Sequence, residues 1–143
     1  ILIYSQFTSM LELIHQEFKE ALYLDGSVAG AKRGELVRAF QEDPQCSLFL
    51  ISLKAGGVGL NLTAADYVFI LDPWWNEAVE QQAISRAHRI GRKNTVVAKR
   101  YLALGTIEEK MLQLKNKKQQ TADQLLDFEG GHLRDEDLLG LLY

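Results

Sequence analysis

Short apolar runs alternate along the chain with longer segments in which apolar residues recur at helical spacing. The runs are rich in β-branched and aromatic residues and are followed by turn-forming residues, which predicts strands. These predicted strands are Ile1–Tyr4, Leu22–Leu24, Leu48–Ile51, Tyr67–Leu71 and Val96–Leu102. Because predicted helices separate them, the pattern indicates an α/β fold with a parallel sheet and helices on both faces.

Helical spacing of apolar residues defines two of the predicted helices. In the first, the residues expected to face inward are Met10, Leu11, Ile14, Phe18 and Ala21, and Ser9 with Glu12 predicts a capping box at its start. The second is expected to run from about Ala31 to Gln41, with Leu36, Val37 and Phe40 inward. Thr106 with Glu109 predicts another capping box later in the chain.

Polar loops follow two of the predicted strands. Leu48–Ile51 leads into the glycine-rich segment Lys54–Asn61, and Tyr67–Leu71 leads into Asp72–Asn76. Loops at the carboxyl ends of parallel strands are where α/β proteins bind ligands. The glycine-rich segment has neither the third glycine of a dinucleotide fingerprint nor a Gly-Lys-Ser/Thr sequence. From composition alone, a tight strand-to-helix turn is therefore the favoured interpretation, with a phosphate-binding nest as the alternative.

The net charge of −3 argues against a nucleic-acid-binding protein, but the distribution of charge along the chain changes this interpretation. Between Gln81 and Ile107 there are six basic residues and no acidic one: Arg86, Arg89, Arg92, Lys93, Lys99 and Arg100. A local basic surface of this kind can meet phosphate even on an acidic chain.

The single Cys46 excludes an internal disulfide, and the three scattered histidines give no support for a metal site. No apolar run is long enough to span a membrane, so no membrane partner is expected.

Three segments in order, Ser52–Asp66, Asp72–Asn76 and Gln81–Gly91, resemble motifs of the second motor lobe of the Swi/Snf family of DNA-dependent ATPases. Weaker similarity covers Ile1–Phe7, Leu22–Ser27 and Gly105–Leu112. The sequence departs from the family at Arg92, where Gln is usual, and at Glu77, where Pro is common. The resemblance implies a RecA-like lobe at residues 1–118, truncated at its N-terminus, and a C-terminal helical extension at 119–143.

The resemblance also implies roles for individual residues. Arg86 and Arg89 would be catalytic arginine fingers that reach the γ-phosphate of ATP, and Gln82, Gly57 and Gly59 would couple the lobe to ATP. The residues implied in DNA binding are Gln6, Gly26, Ser52, Lys54, Asn61 and Trp75. ATP and magnesium would be held mainly by the N-terminal motor lobe of the same protein. The implied partners are that lobe and double-stranded DNA, with a DNA-bound protein target left open.

Several alternatives remain at this stage. Gln82, Arg86 and Arg89 share one helix face by their spacing, which also fits an ordinary solvated surface. Pairing Arg89 with Arg92 instead would match an RNA helicase lobe. A binding module without chemistry and a small-molecule α/β enzyme are the other classes. The chain begins inside a predicted strand, so we expect a piece of a longer protein. The resemblance assigns the P-loop and the acidic magnesium-binding motif to the other lobe, so we expect this piece alone to be inactive as an ATPase. The expected location is nuclear in a eukaryote and cytoplasmic or nucleoid-associated in a bacterium.

Overall fold

A computed structural model describes residues 1–57, 59–72, 77–88 and 95–126. The chain divides into two compact units, residues 1–103 and residues 104–143, and each is considered by itself. The predicted boundary between lobe and extension, at residue 118, falls within a continuous helix of the second unit and stays a prediction.

The first unit is built on a five-stranded sheet in which every described pair of neighbouring strands is parallel. In chain order the strands are β1 (Leu2–Ser5), β2 (Leu22–Leu24), β3 (Phe49–Ser52), β4 (Tyr67–Ile70) and β5 (Val97–Arg100). Their spatial order is β2-β3-β1-β4-β5, so β1 is central and pairs with both β3 and β4. The predicted α/β class with a parallel sheet is confirmed.

In the described part of the first unit, the α-helices beside the sheet are α1 (Thr8–Glu17), α2 (Gly30–Glu42) and α3 (Glu77–Ala87). The predicted capping box at Ser9 is wrong, because the helix already begins at Thr8. Phe7 occupies the N-cap position and makes no side-chain hydrogen bond there. The first helix also buries fewer of the predicted residues than expected, since Met10 is 42% exposed and Phe18 is 48% exposed.

Apolar side chains fill both sides of the sheet. The larger cluster joins alternate strand residues such as Tyr4, Ile51 and Ile70 to Phe40 of α2 and Ala83 of α3. The smaller cluster, on Leu50, includes Leu11 of α1 and Ala21. Full burial of a large apolar side chain stabilises a fold by about 1.5–3 kcal/mol. The two clusters place α2 and α3 on one face of the sheet and α1 on the other, so the predicted arrangement of helices on both faces is confirmed.

The second unit contains α4 (Ile107–Leu126). Thr106 Oγ1 accepts a hydrogen bond from the N–H of Glu108 at 3.2 Å, and the Glu109 carboxylate accepts one from the N–H of Gly105 at 2.8 Å. These bonds satisfy N–H groups at the start of the helix, which has no intrahelical acceptors for them. Thr106 and Glu109 therefore both bond backbone N–H groups at the helix start, although each of these N–H groups lies one residue before the one that a capping box would use. None of the helices in the described ranges is long and apolar enough to cross a membrane.

Candidate functional site

The carboxyl ends of the three central strands are joined by hydrogen bonds. The N–H of Gln6, just after β1, donates to Asp72 Oδ2 at 2.9 Å, and Asp72 follows β4. The N–H of Leu53, just after β3, donates to the carbonyl of Ser5 at 2.9 Å. The two polar loops predicted from the sequence therefore start from one connected edge. Asp72 is only 4% exposed, so its carboxylate supports this edge from within.

The glycine-rich segment leaves β3 through a short 3₁₀ helix at Ala55–Gly57. Ser52 is buried, and its hydroxyl accepts a hydrogen bond from the N–H of Ala55 at 3.2 Å. Lys54 is exposed beside it. Gly59 has φ +46°, a backbone conformation that a side chain strongly disfavours. The segment is thus a built turn that presents Lys54 to solvent, and the DNA contacts implied for Ser52 and Lys54 stay predictions.

Arg86 of α3 lies beside the end of the glycine-rich segment. An open cavity of about 250 Å³ is lined by Gly59, Leu60, Asn61, Ser85 and Arg86. Arg86 is half-buried, whereas Asn61 is exposed. The structure therefore brings together one predicted arginine finger, one predicted ATP-coupling glycine and one predicted DNA-contacting asparagine.

The charge of Arg86 also acts on the core. Tyr4 is fully buried on the face of the sheet against which α3 packs. Burial raises the pKa of its hydroxyl well above the usual range. The positive charge of Arg86 lowers this pKa, in opposition to burial. The guanidinium therefore lies close enough to the interior for its field to reach the Tyr4 hydroxyl.

Gln82 lies one turn before Arg86 in α3, as their spacing predicts. Gln82 is exposed and lines a shallow depression together with Ser85, which also lines the cavity at Arg86. The Ser85 hydroxyl donates to the carbonyl of Gln82 at 2.8 Å. Ser85 thus connects the two predicted positions, and it was not among the residues singled out from the sequence. A small polar residue between two family positions gave no signal of its own.

A buried carboxylate holds α3 against the sheet. Arg100 Nε of β5 lies 2.6 Å from Glu80 Oε2, and the Glu80 side chain is 1% exposed. The two groups form an ion pair. The contact does not have hydrogen-bond geometry, because neither Glu80 oxygen has a hydrogen-bond partner among the described residues. Lys99 is exposed and, next to Arg100 in an extended strand, points to the opposite face. The basic stretch predicted between Gln81 and Ile107 is therefore divided between two faces at β5, and Arg100 is engaged internally.

The remaining predicted site residues lie at other strand ends or outside the described ranges. Gly26 follows β2 in a turn whose geometry is fixed by Asp25, which accepts bonds from the Ser27 N–H at 2.9 Å and the Ser27 hydroxyl at 2.6 Å. These hydrogen bonds from Ser27 lower the pKa of the Asp25 carboxyl. Gly57 closes the 3₁₀ helix. Arg89, Trp75 and Arg92 lie outside the described residues.

Residues 1–91 match the family model described as the helicase conserved C-terminal domain. Among similar proteins, DNA repair protein RAD5B of Arabidopsis thaliana is 46% identical over 142 residues, which cover 96% of this chain and 11% of that protein. ATP-dependent helicase rhp16 of Schizosaccharomyces pombe is 44% identical over 130 residues, which cover 88% of this chain and 15% of that protein. The chain thus spans a small part of the length of these relatives.

A solved structure shows the same architecture. The crystal structure of the C-terminal part of the Fun30 ATPase domain superposes with a TM-score of 0.72 at 38% sequence identity. The match covers 79% of this chain and 38% of that one. The predicted RecA-like fold is confirmed by this similarity together with the parallel sheet. The chain therefore belongs to the helicase conserved C-terminal domain family, in its Swi/Snf branch.

Proposed function

We propose that this chain is the second motor lobe of an ATP-driven translocase or remodeller of double-stranded DNA. In this role it supplies arginine fingers to ATP hydrolysis and contacts the DNA backbone. The observation that carries the proposal is the shared cavity at Arg86, which Gly59 and Asn61 also line. Relatives named as a DNA repair protein and as an ATP-dependent helicase support the same function.

The size of the cavity fits a part of a nucleotide better than the whole molecule. Complete ligand sites usually enclose about 300–1,000 Å³, and this cavity has about 250 Å³. It is therefore suited to a phosphate group approached from one side, with the remaining contacts made by another lobe. Arg86 is chemically suited to such a group, because the guanidinium is always charged and its fixed donors match phosphoryl oxygens.

The DNA side of the proposal rests on the loops that leave β1, β2 and β3. Lys54 and Asn61 are exposed at the two ends of the glycine-rich segment after β3, and Gln6 and Gly26 follow β1 and β2, the strands on either side of β3. Side chains of these types, together with backbone N–H groups, make the sequence-independent contacts to DNA phosphates. Because β1, β2 and β3 are parallel, these loops leave the same edge of the sheet, and a strand of DNA lying across that edge would meet several of the loops together.

ATP and magnesium would be held mainly by the N-terminal motor lobe. Within the described part of the chain, no three histidine, cysteine or carboxylate side chains are grouped as metal ligands. The chemistry that this lobe contributes is the positive charge of Arg86, to which the sequence pattern adds Arg89. Magnesium would neutralise phosphate charge from the other side of the substrate. Relatives from a plant and a fission yeast support a nuclear location among the alternatives.

The test is steady-state ATP hydrolysis by the full-length protein, in which we expect both lobes, with no nucleic acid, with duplex DNA, and with duplex or single-stranded RNA. We expect duplex DNA to stimulate turnover strongly and RNA to have little effect. Stimulation by RNA alone would favour an RNA helicase lobe. No turnover under any of these conditions, in a protein that binds DNA, would favour a binding module that lacks the chemistry.

A further inference from the structure

Gln41, at the end of α2, is bonded through both ends of its side-chain amide. Its Oε1 accepts a hydrogen bond from the backbone N–H of Ala64 at 2.7 Å. Its Nε2 donates to Thr63 Oγ1 at 2.9 Å. The two partners are adjacent in the loop that connects the glycine-rich segment to β4. One half-buried side chain thus fixes the position of this loop relative to α2.

The same loop is also bonded to the helix that carries Arg86. The N–H of Leu62 donates to the backbone carbonyl of Arg86 at 3.1 Å, and the N–H of Ala65 donates back to the carbonyl of Leu62 at 3.1 Å. The Leu62 side chain is fully buried in the larger cluster. Residues 62–65 therefore form a turn that is held by a side chain of α2 on one side and by the backbone of α3 on the other.

We propose that Gln41 is a positioning residue for ATP turnover: it holds the turn at residues 62–65 so that the glycine-rich segment and Arg86 keep the relative placement that the shared cavity requires. This inference rests on the function proposed above. Gln41 does not line the cavity, and its side-chain hydrogen bonds go to Thr63 and Ala64, so it would act through these two residues. A misplacement of a catalytic group by about 1 Å is enough to cost a large factor in rate, even when its cause is remote.

The chemistry of the amide determines which substitutions keep this role. Gln41→Ala removes both bonds and takes away the Oε1 acceptor of the Ala64 N–H. Gln41→Glu keeps an oxygen for that N–H, and its second oxygen can accept the Thr63 hydroxyl proton, since a hydroxyl both donates and accepts. Thr63→Val removes the second bond and keeps the one between Gln41 Oε1 and the N–H of Ala64. Glu42 is exposed and next to Gln41 in the same turn, so Glu42→Ala is the matched control.

The experiment uses the full-length protein with saturating duplex DNA and measures kcat, the KM for ATP and backbone hydrogen exchange. For Gln41→Ala we expect kcat to fall about 30-fold, which corresponds to the loss of two ordinary hydrogen bonds from the productive arrangement. KM should change less than about twofold, since ATP is held mainly by the other lobe. Exchange should accelerate in the peptide that contains residues 62–65. Gln41→Glu should recover most of kcat, Thr63→Val should be intermediate, and Glu42→Ala should match the wild type.

Each other outcome contradicts a definite part of the proposal. Normal kcat for Gln41→Ala, in a protein whose wild type is stimulated by DNA, overturns the role of Gln41 and leaves the proposed function intact. The role is also overturned if kcat falls but exchange at residues 62–65 is unchanged, or if Gln41→Glu is as impaired as Gln41→Ala. A wild type that shows no DNA-stimulated turnover overturns the proposed function and, with it, the inference for Gln41.

Discussion

The Cβ atom that Gly56 lacks would lie 2.9 Å from Cε1 of Tyr4. Tyr4 is fully buried in the central strand, so its ring has little space in which to move away. Gly56 therefore lets the glycine-rich segment pass directly over the Tyr4 ring, and this close approach brings the segment down onto the sheet. The glycine serves packing here, whereas at Gly59 the positive φ of +46° is the reason for glycine.

Gly56→Ala should destabilise the lobe, because the added methyl group overlaps a buried ring. Overpacking of this kind typically costs about 1–3 kcal/mol of unfolding free energy. The measurement is urea unfolding of the chain, followed by circular dichroism. Gly34→Ala is the control, because Gly34 lies inside α2 with open space around its Cβ position. That change should stabilise by about 0.5–1 kcal/mol through helix propensity. Equal effects at the two glycines would contradict the packing role of Gly56.

Tyr4→Phe should leave the fold intact and raise its stability at neutral pH. The Tyr4 hydroxyl has no hydrogen-bond partner among the described residues, and a buried hydroxyl without a partner costs about 1–3 kcal/mol on scales from protein mutants. Removing it should therefore stabilise by on the order of 1 kcal/mol. Urea unfolding at pH 7 measures the difference. A loss of stability would mean that the hydroxyl has a favourable partner after all.

The same pair of proteins should diverge further in alkali. The folded state raises the pKa of the Tyr4 hydroxyl. The free energy of unfolding is therefore independent of this group below its unfolded pKa of about 10, and it falls as the pH rises above that value. Above this pH the unfolded wild type releases a proton that the folded form retains, and its stability falls. Tyr4→Phe has no such group at this position. The stability difference between the two proteins should therefore be constant from pH 7 to 9 and grow at pH 10.5.

Most of the fold could be predicted from the hydrophobic pattern, and the errors are in the ends of elements. The predicted strand Val96–Leu102 is shortened to Val97–Arg100, because among the described residues β5 pairs with β4 alone, and that strand offers partners from Tyr67 to Ile70. The length of a strand thus depends on its neighbour in the sheet, and the sequence of the strand alone does not reveal where that neighbour ends. Similarly, Met10 and Phe18 fit the apolar spacing of the first helix, but the sheet below that helix covers only part of its surface.

The candidate site could be predicted only as a set of motifs. The motifs indicated Arg86, Gly59 and Asn61, which the structure brings to one cavity. The supporting contacts could not be predicted, since Gln41 reaches Thr63 across 22 positions and Glu80 reaches Arg100 from another element. A glutamate on a helix is usually exposed, so nothing in the pattern marked Glu80 as buried.

The Glu80–Arg100 ion pair should be sensitive to the loss of one partner and tolerant of the loss of both. Arg100→Met leaves the Glu80 carboxylate buried without its counter-charge. Breaking a fully buried pair costs about 3–5 kcal/mol. We expect about 2 kcal/mol here, because the Arg100 side chain is 41% exposed and solvent screens part of the interaction.

The double variant Glu80→Met with Arg100→Met replaces both charges by apolar groups of similar length. It should recover most of the lost stability, since exchange of a buried pair for packed apolar residues is often neutral. Urea unfolding of the wild type, both single variants and the double variant forms a complete cycle. Additive effects of the two substitutions would show that the pair does not act as a unit.

Lys54→Glu should weaken DNA binding by the full-length protein uniformly across sequences. Lys54 is exposed at the carboxyl end of β3, beside the glycine-rich segment. Loss of one phosphate contact should reduce the slope of log K against log salt by about 1. Fluorescence anisotropy with two unrelated duplexes at several salt concentrations measures this slope. Lys19→Glu is the control, because Lys19 is exposed between α1 and β2, before the amino end of a strand. Equal effects of both changes would indicate general electrostatics and no specific contact.

Arg86→Ala and Arg89→Ala should each lower DNA-stimulated ATP turnover by orders of magnitude in the full-length protein, while ATP binding changes far less. Arg86 lines a cavity of about 250 Å³, and Arg89 follows it by three positions in the sequence. Groups that act mainly in the transition state lower kcat when removed, and arginine fingers contribute on the order of 10³-fold or more. Arg86→Lys keeps the charge without the planar fork and should recover only a small part of the rate. Arg92→Gln introduces the residue that is usual in the family and should be nearly silent. Steady-state kinetics with saturating duplex DNA compares the four variants. If Arg92→Gln abolishes turnover while Arg86→Ala leaves it unchanged, the pairing of Arg86 with Arg89 is wrong and the alignment with RNA helicases is favoured.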